Sequence, residues 1–267
     1  MVRMPVENEK REERRTTFDS VAEQYEAARP TYPSALLDDL VLLGGIPEGG
    51  RVVEIGPGTG KATVALAERG FELVGVELGA TLATVARRRL AGFPRAQIVV
   101  ADYEHWKPER GDFDAVVAFT SFHWIAPELR YTKSKQLLHP GGALAVVQPE
   151  HVLLPGVDVE FWDSVQEVYG TVLPELAPDE RPPAPDDVGD LREEIEASGL
   201  FSEVTVRRHF WDVEYTADEY IALLGTYSPM LELPPGQRDE LLSRLHALIT
   251  EHRGLTKTYV GVLNVAR

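Results

Sequence analysis

The fold of this 267-residue chain is decided by the stretch Arg51–Lys61, which reads RVVEIGPGTGK. A short apolar run that ends in alternating glycines predicts a strand followed by a tight turn. The residues from Lys61 to Arg69 have a helical composition, and Gly70 predicts the helix stop. The stretch therefore predicts a strand, a glycine turn and a helix, an arrangement in which backbone N–H groups face a ligand.

The same strand and helix unit recurs after this stretch. Further strands are predicted at Glu72–Glu77, Gln97–Ala101, Asp114–Phe119 and Ala143–Gln148, and helices at Thr81–Leu90 and Pro127–Leu138. Strands that alternate with helices form a parallel sheet covered on both faces. The predicted fold class is therefore a doubly wound α/β fold whose core spans residues 51–148.

Additional segments flank this core within what we interpret as a single domain, residues 1–267. Residues 18–45 predict two cap helices separated by Arg29–Pro33, where two prolines break the helical spacing. Residues 149–187 and 213–253 predict two insertions, the first with a helix at Glu160–Val172 and a proline-rich loop after it. The second is helical from Ala217 to Arg253, with breaks at 228–229 and 234–236. The remaining elements are a helix at Val188–Ser198 and strands at Glu203–Phe210 and Lys257–Val265.

Composition excludes several classes of partner. The 43 acidic and 27 basic residues give a net charge of −16, a field that repels nucleic acid. The absence of cysteine excludes disulfides and thiolate metal sites, and the histidines lack metal-ligand spacing, so no metal is expected. No run approaches the ~18–20 apolar residues of a membrane span. The charged N-terminus has no apolar region behind it, and we expect a cytoplasmic protein, a monomer or homodimer, with no membrane partner.

The glycine turn fits some nucleotide ligands better than others. The dinucleotide pattern G-x-G-x-x-G/A would place glycine or alanine where the chain has Lys61, which disfavours NAD without excluding it. The P-loop pattern would need glycine at Ile55 and a hydroxyl at Ala62, so a phosphate cradle is not predicted. What remains is an acidic strand end, Glu54, followed by glycines at 56, 58 and 60.

These residues resemble the class I S-adenosylmethionine-dependent methyltransferase family, in particular its small-molecule branch of trans-aconitate methyltransferase-like proteins. The resemblance rests on Val53–Gly60, Gly75–Glu77, Ala101–Asp102, Asp112–Val117, Leu138–Gly142 and the N-terminal pattern Tyr25-x-x-x-Arg29-Pro30-x-Tyr32-Pro33. It implies a Rossmann-like seven-stranded sheet with an antiparallel last strand and helical lid insertions. It also implies S-adenosyl-L-methionine as the cofactor.

The resemblance assigns roles to individual residues. It implies that Glu54 helps to hold the methionine ammonium and that Glu77 binds the ribose hydroxyls. Asp102 would accept a hydrogen bond from the adenine amino group, with Tyr103 beside the ring. The complete expected cofactor set is Tyr25, Arg29, Glu54, Gly56, Gly58, Gly60, Glu77, Leu78, Asp102, Tyr103 and Phe119. Carboxylates at strand ends suit a cationic sulfonium and would repel a pyrophosphate.

The candidate catalytic group is His123, which follows the fourth strand. Its imidazole could serve as a base for the acceptor or orient it, but it could equally pack without transferring a proton. Tyr25 and Arg29 lie four residues apart on one helical face. By resemblance they close over the cofactor, with Arg29 pairing with the methionine carboxylate.

The acceptor pocket is expected between the two insertions. Its candidate walls are Phe161, Trp162, Tyr169, Trp211, Tyr220, Tyr227 and Met230. His151 is a further candidate, and one of Arg207 and Arg208 could indicate an anionic acceptor, because adjacent strand residues face opposite ways.

The predicted function is methyl transfer to a small organic acceptor by in-line displacement. One alternative is a cofactor-binding protein of the same fold that catalyses a non-methylating rearrangement. Others are a non-catalytic ligand-binding protein and a nicotinamide oxidoreductase, because the fold does not fix the chemistry.

Overall fold

The computed structural model describes residues 18–174 and 181–267. The charged N-terminal stretch, on which the expected cytoplasmic location partly rests, lies outside these residues. The same is true of residues 175–180, the middle of the predicted proline-rich loop. In the part of the chain that is described, no helix has both the length and the apolar character needed to cross a membrane.

Seven strands form one sheet. Their bounds are β1 Arg51–Ile55, β2 Glu72–Glu77, β3 Ala96–Val100, β4 Phe113–Phe119, β5 Leu138–Val152, β6 Val204–Tyr215 and β7 Leu255–Ala266. The spatial order is β3-β2-β1-β4-β5-β7-β6. Strands β1 to β5 pair in parallel, and β7 is antiparallel to both β5 and β6. This confirms the doubly wound fold and the antiparallel last strand.

Ten α-helices are present among the described residues. They are α1 Ala22–Ala28, α2 Ser34–Gly44, α3 Lys61–Ala67, α4 Ala80–Arg89, α5 Pro127–Leu137, α6 Val159–Val172, α7 Arg192–Ala197, α8 Ala217–Leu224, α9 Ser228–Glu232 and α10 Pro235–Glu251. Short 3₁₀ turns lie at Phe18–Val21, Phe122–Trp124 and Pro185–Asp187.

The two faces of the sheet bury alternate residues of each strand. In β1, Val52 packs with α2, α3 and α4, whereas Val53 and Ile55 pack with α5 and α7 on the opposite face. The same alternation in β4 sends Val116 to one face and Val117 to the other. Near-continuous apolar strands are expected where helices cover both faces of a parallel sheet.

A third apolar cluster lies beyond the sheet core. Helices α6, α8, α9 and α10 pack together against the ends of β6 and β7, where Tyr215, Leu255 and Tyr259 are buried. We call this assembly the lid. It is built on strands that are longer than the sequence predicts, because β5 continues to Val152 and β6 to Tyr215.

Several predicted boundaries are wrong for identifiable reasons. Strand β5 passes through Pro149, which pairs with Gly261 of β7 in register despite having no N–H group to donate. Helix α7 begins only at Arg192, after a local turn in which the Asp190 carboxylate accepts the Arg192 N–H at 2.9 Å. Pro229 lies in the first turn of α9, so it begins a helix instead of ending one.

Asn264 ties the sheet to the segment that leads into α7. It is fully buried on β7, and its Oδ1 accepts the Leu191 N–H at 2.9 Å. Its Nδ2 donates to the carbonyls of Val262 at 3.3 Å and Val146 at 3.4 Å. A buried polar side chain is stable only when it is hydrogen-bonded in this way.

Replacing Asn264 by alanine should therefore lower the free energy of unfolding by about 2–3 kcal/mol, because it leaves the buried Leu191 N–H without an acceptor. Urea denaturation monitored by circular dichroism measures the change. Thr258→Ala on the same strand is the control, because it removes only a solvent-exposed hydrogen bond from the Thr258 hydroxyl to Asp212. This change should lower the free energy of unfolding by less than about 1 kcal/mol. Equal losses in the two variants would contradict the role assigned to Asn264.

Candidate functional site

The glycine turn after β1 adopts a backbone that only glycine accepts readily. Gly56, Gly58 and Gly60 have φ values of 57°, 59° and 83°, in the left-handed region. A Cβ atom on Gly56 would also lie 2.9 Å from the Cβ of Ser121. The turn therefore holds its backbone close to the ends of β1 and β4, the switch point where doubly wound sheets bind ligands.

Glu77 holds this turn in place from the end of β2. Its side chain is buried, and its Oε2 accepts the Gly58 N–H at 2.8 Å while Oε1 accepts the Gly79 N–H at 2.8 Å. Burial raises the pKa of Glu77, and the backbone N–H groups of Gly79, Gly58 and Leu78 oppose that shift. One carboxylate thus links the glycine turn to the start of α4.

Glu54 is the second buried carboxylate at this edge of the sheet. It is 1% exposed, and its Oε2 accepts the hydroxyl hydrogen of Thr63 at 2.7 Å. Burial raises the pKa of Glu54 to about 7, the Thr63 hydrogen bond opposes the shift, and the charge of Glu77 adds to it. The site therefore concentrates negative charge where water is excluded.

The cap helix α1 is fastened over the turn by Lys61. Its Nζ donates to the Glu26 carbonyl at 2.7 Å, and it lies 3.7 Å from the Glu26 carboxylate, which also pairs with Arg89 at 3.0 Å. Lysine thus replaces the small residue of a dinucleotide pattern and anchors the cap.

Arg29 joins the cap to the lid. Its Nε donates to the Thr226 hydroxyl at 2.8 Å, and its Nη2 donates to the Thr226 carbonyl at 3.0 Å. The guanidinium carbon lies 4.1 Å from the ring centre of Tyr227 and 5.0 Å from that of Tyr25. The cap, the glycine turn and the lid therefore enclose one cleft.

The cleft has a volume of about 870 Å³, near the upper end of the roughly 300–1,000 Å³ that is typical of small-molecule sites. Ten of the twelve predicted site residues line it: Tyr25, Arg29, Glu54, Gly56, Gly58, Glu77, Leu78, Tyr103, Phe119 and His123. Gly60 and Asp102 do not. Gly60 lies directly before α3. The Asp102 carboxylate accepts the Glu104 N–H at 3.1 Å, and its other oxygen lies 2.9 Å from Nδ1 of His105.

The lid side of the cleft is aromatic. Of the predicted pocket walls, Trp162, Tyr169, Trp211, Tyr220, Tyr227 and Met230 line it. Phe161 does not, because its ring is buried in the lid and stacks on His252 with centroids 4.2 Å apart. Arg207 and Arg208 are exposed and do not line the cleft, so the hint of an anionic acceptor from these two residues is not supported.

Two histidines face the cleft and differ in environment. His123 is exposed, with its ring centroid 4.6 Å from that of Trp124. His151 is half-buried against Trp162, with ring centroids 4.6 Å apart. Burial, and secondarily the charge of Lys257, lowers the pKa of His151 far below its usual value. An imidazole that resists protonation is poorly suited to accept a proton.

Sequence reasoning missed several lining residues. Thr120 has φ 61° at the end of β4, and its hydroxyl lies 3.1 Å from that of Tyr32. Strained non-glycine backbone of this kind clusters at functional sites. Lys257 and Tyr259 of β7 also line the cleft. The one signal that could have identified Lys257 is its alternation with Leu255 and Tyr259, which places all three on one face of the strand.

Comparisons with known proteins agree with this geometry. Residues 52–142 match the sequence model of the family described as Methyltransferase domain. The chain is 28% identical over 257 residues to an uncharacterized methyltransferase of Mycobacterium tuberculosis, covering 92% of this chain and 93% of that protein. It is 33% identical over 107 residues to the trans-aconitate 2-methyltransferase of an Acidovorax species, covering 39% of this chain and 40% of that protein.

Solved structures show the same fold. One is a SAM-dependent methyltransferase from Thiobacillus denitrificans in complex with S-adenosyl-L-homocysteine, with a TM-score of 0.53, 18% identity, and 93% and 97% of the two chains covered. Another is the corresponding complex from Geobacter sulfurreducens, with a TM-score of 0.52, 16% identity, and 93% and 98% covered.

The buried carboxylate of Glu54 predicts a pH-dependent stability. The unfolded carboxyl group ionises near its ordinary pKa of 4.5 and the folded one near 7, so its favourable contribution is complete below 4.5 and is lost as the pH rises through 7. Glu54→Gln should therefore be more stable than the parent at pH 8, by on the order of 2–3 kcal/mol, and nearly equal to it at pH 4.5.

Urea denaturation at the two pH values measures this difference. Glu68→Gln is the control, since Glu68 is exposed and its replacement should give no comparable gap. A Glu54→Gln variant whose stability relative to the parent is independent of pH would refute the prediction.

Proposed function

We propose that this protein, whose residues 52–142 match the sequence model of a methyltransferase domain, transfers a methyl group from S-adenosyl-L-methionine to a small organic acceptor by in-line displacement. The observation that carries the proposal is the single cleft in which the glycine turn and its two buried carboxylates face an aromatic lid. A donor site and an acceptor site in one water-excluding cleft are what group transfer requires.

The residues present fit the cofactor. The left-handed glycines keep side chains away from the backbone of the turn, which leaves room for a ligand to approach closely. The buried carboxylates of Glu54 and Glu77 suit a cationic ligand with an ammonium group and hydroxyl donors. When bound, S-adenosyl-L-methionine supplies an electrophilic methyl group.

The adenine end of the proposed cofactor site lies after β3. Tyr103 lines the cleft, whereas both Asp102 oxygens are engaged near the turn that follows β3. Each carboxylate oxygen has two lone pairs, so Asp102 can still accept a hydrogen bond from the adenine amino group. The proposal therefore includes the adenine contact of Asp102 and the pairing of Arg29 with the methionine carboxylate.

In this proposal each segment of the chain has a separate role. Residues 51–148 bind the cofactor, residues 18–45 cap it, and residues 149–187 and 213–253 bind the acceptor. Lys61 and Arg29 hold the cap to the core and to the lid. The chain then contributes orientation and exclusion of water, which can supply most of the rate for an already activated methyl group.

His123 is the proposed base or orienting group. It lines the cleft after β4. The other histidine of the cleft, His151, is held neutral by burial. Nothing in this assignment requires a metal.

The same cleft could serve three other functions. A non-methylating rearrangement would use the cofactor without consuming its methyl group, and a ligand-binding protein would form no product at all. A nicotinamide oxidoreductase is disfavoured because Lys61 is committed to the cap. Binding and product formation separate these functions.

We expect calorimetric titration to show binding of S-adenosylmethionine and S-adenosylhomocysteine, but not of NAD(H), and a matching rise in the melting temperature. Glu77→Gln should bind S-adenosylhomocysteine about tenfold or more weakly, since it loses charge-assisted hydrogen bonds. Exposed Glu68→Gln should bind like the parent. Binding of NAD(H) alone, or of none of these ligands, would overturn the proposed function. Cofactor binding with no labelled methyl product across a broad acceptor panel would favour the other two functions.

Once an acceptor is known, His123→Ala should lower kcat by about 10²-fold, the usual contribution of a general acid or base, while S-adenosylhomocysteine affinity stays the same. The ascending limb of the pH–rate profile should also disappear. His246→Ala is the matched control, because His246 lies outside the cleft and its ring bonds to the exposed Asp218. An unchanged rate and pH profile would remove His123 from the mechanism.

A further inference from the structure

The lid side of the cleft holds two cations whose charges no carboxylate neutralises within the described residues. Lys257 is 5% exposed and lines the cleft from β7. No described carboxylate lies within 4 Å of its Nζ or of the Arg29 guanidinium. Both cations stand next to Tyr227.

Tyrosine rings surround Lys257. Its Nζ lies 5.2 Å from the ring centre of Tyr259, 5.5 Å from that of Tyr220 and 5.9 Å from that of Tyr227. Cation–π contacts compensate only part of the cost of removing an ammonium group from water. A buried cation held in this way retains an attraction for an anion that can reach it.

The pKa of Tyr227 is affected by the positive charges in this region. Burial raises the pKa of Tyr227, but the charges of Lys257 and Arg29 outweigh that effect and lower it. Burial raises the pKa values of the neighbouring phenols of Tyr169, Tyr215 and Tyr220, and the charge of Tyr227 adds to that shift. None of these phenols supplies a negative charge near neutral pH.

Two acidic residues of the cleft, Glu54 and Glu77, lie at the opposite side. Glu77 accepts the Gly58 N–H of the glycine turn and Glu54 accepts the Thr63 hydroxyl hydrogen. Glu150 and Glu232 also line the cleft, and each has an interaction of its own.

Trp211 adds a flat aromatic wall on the lid side. It lines the cleft and stacks on Tyr259, with ring centroids 5.4 Å apart and planes 17° from parallel. A ring in this place offers a large apolar surface to the body of a ligand.

We propose that the methyl acceptor is a carboxylic acid with an apolar or aromatic body, whose carboxylate binds Lys257 while its body packs against Trp162, Tyr169 and Trp211. This inference rests on the proposed function, because it concerns the acceptor half of the same cleft, whereas Arg29 pairs with the cofactor. Lys257 supplies the charge-assisted donor that a carboxylate prefers. The aromatic walls exclude water from that contact and strengthen it.

Calorimetry on the protein saturated with S-adenosylhomocysteine tests the proposal with three matched pairs of probes: benzoate and benzamide, phenylacetate and phenylacetamide, and indole-3-acetate and its amide. We expect at least one acid to bind about tenfold or more tightly than its amide, as a hydrogen bond to a charged group allows. Citrate, which carries several charges and no apolar body, should bind more weakly than that acid.

Variants assign the preference to the lysine. Lys257→Met should reduce the acid-to-amide preference to within about twofold, leave amide affinity unchanged, and bind S-adenosylhomocysteine like the parent. Lys257→Arg should retain the preference, which shows that the charge at this position is the cause. Lys135→Met is the control, because Lys135 also lies over an aromatic ring, that of Phe201 at 4.8 Å, but outside the cleft.

The outcomes separate this inference from the proposed function. Failure of S-adenosylhomocysteine to bind would refute the proposed function. Normal S-adenosylhomocysteine binding with no acid preference in any pair, with no binding of any acid, or with a preference that survives in Lys257→Met would overturn the acceptor class. Tighter binding of citrate than of every aromatic acid would overturn the apolar body.

Discussion

The hydrogen bonds that Glu77 accepts from Gly58 and Gly79 are the constraint on which the rest of the site depends. They connect the turn after β1 to the turn after β2, so two adjacent parallel strands end at a fixed separation. The left-handed glycines make that turn possible, and Glu77 keeps it in one conformation. Placing a raised-pKa carboxylate in this role costs stability, which is the usual sign that a buried charge serves a site and not the fold alone.

Closure of the cleft depends on a few contacts between segments that are distant in sequence. Arg29 bonds to Thr226, 197 residues away, and Lys61 bonds to the cap helix 35 residues before it. Further bonds fasten the N-terminal segment to α4, where Asp19 accepts from Thr81 and Leu82 and Glu23 pairs with Arg88. The site is therefore complete only when the cap, the core and the lid have come together.

Much of this architecture could be predicted from local sequence. The glycine turn, the order of strands and helices in the core, and the strand-end acids Glu54 and Glu77 follow from short-range patterns. The extension of β6 could have been predicted, since residues 211–215 alternate apolar and polar side chains as a half-exposed strand does. The extension of β5 could not be predicted, because Pro149 opposes it and only pairing with β7 overrides that preference. The partners of Lys257 were equally inaccessible, since Tyr220, Tyr227 and Tyr259 meet only when the lid folds onto β7. The commitment of the Asp102 oxygens to its own turn is also a tertiary result.

The net charge of −16 does not conflict with an acceptor site that is locally positive. At physiological ionic strength the Debye length is about 8 Å, so the dispersed surface carboxylates are largely screened from one another and from a solute in the cleft. Lys257 is buried among rings that exclude water and counterions, where screening is weak and its charge acts at nearly full strength. The surface field therefore governs how fast an anion approaches, and Lys257 governs how long it stays bound. Low affinity for polyanions and selective retention of a small acid are compatible because screening separates the two length scales.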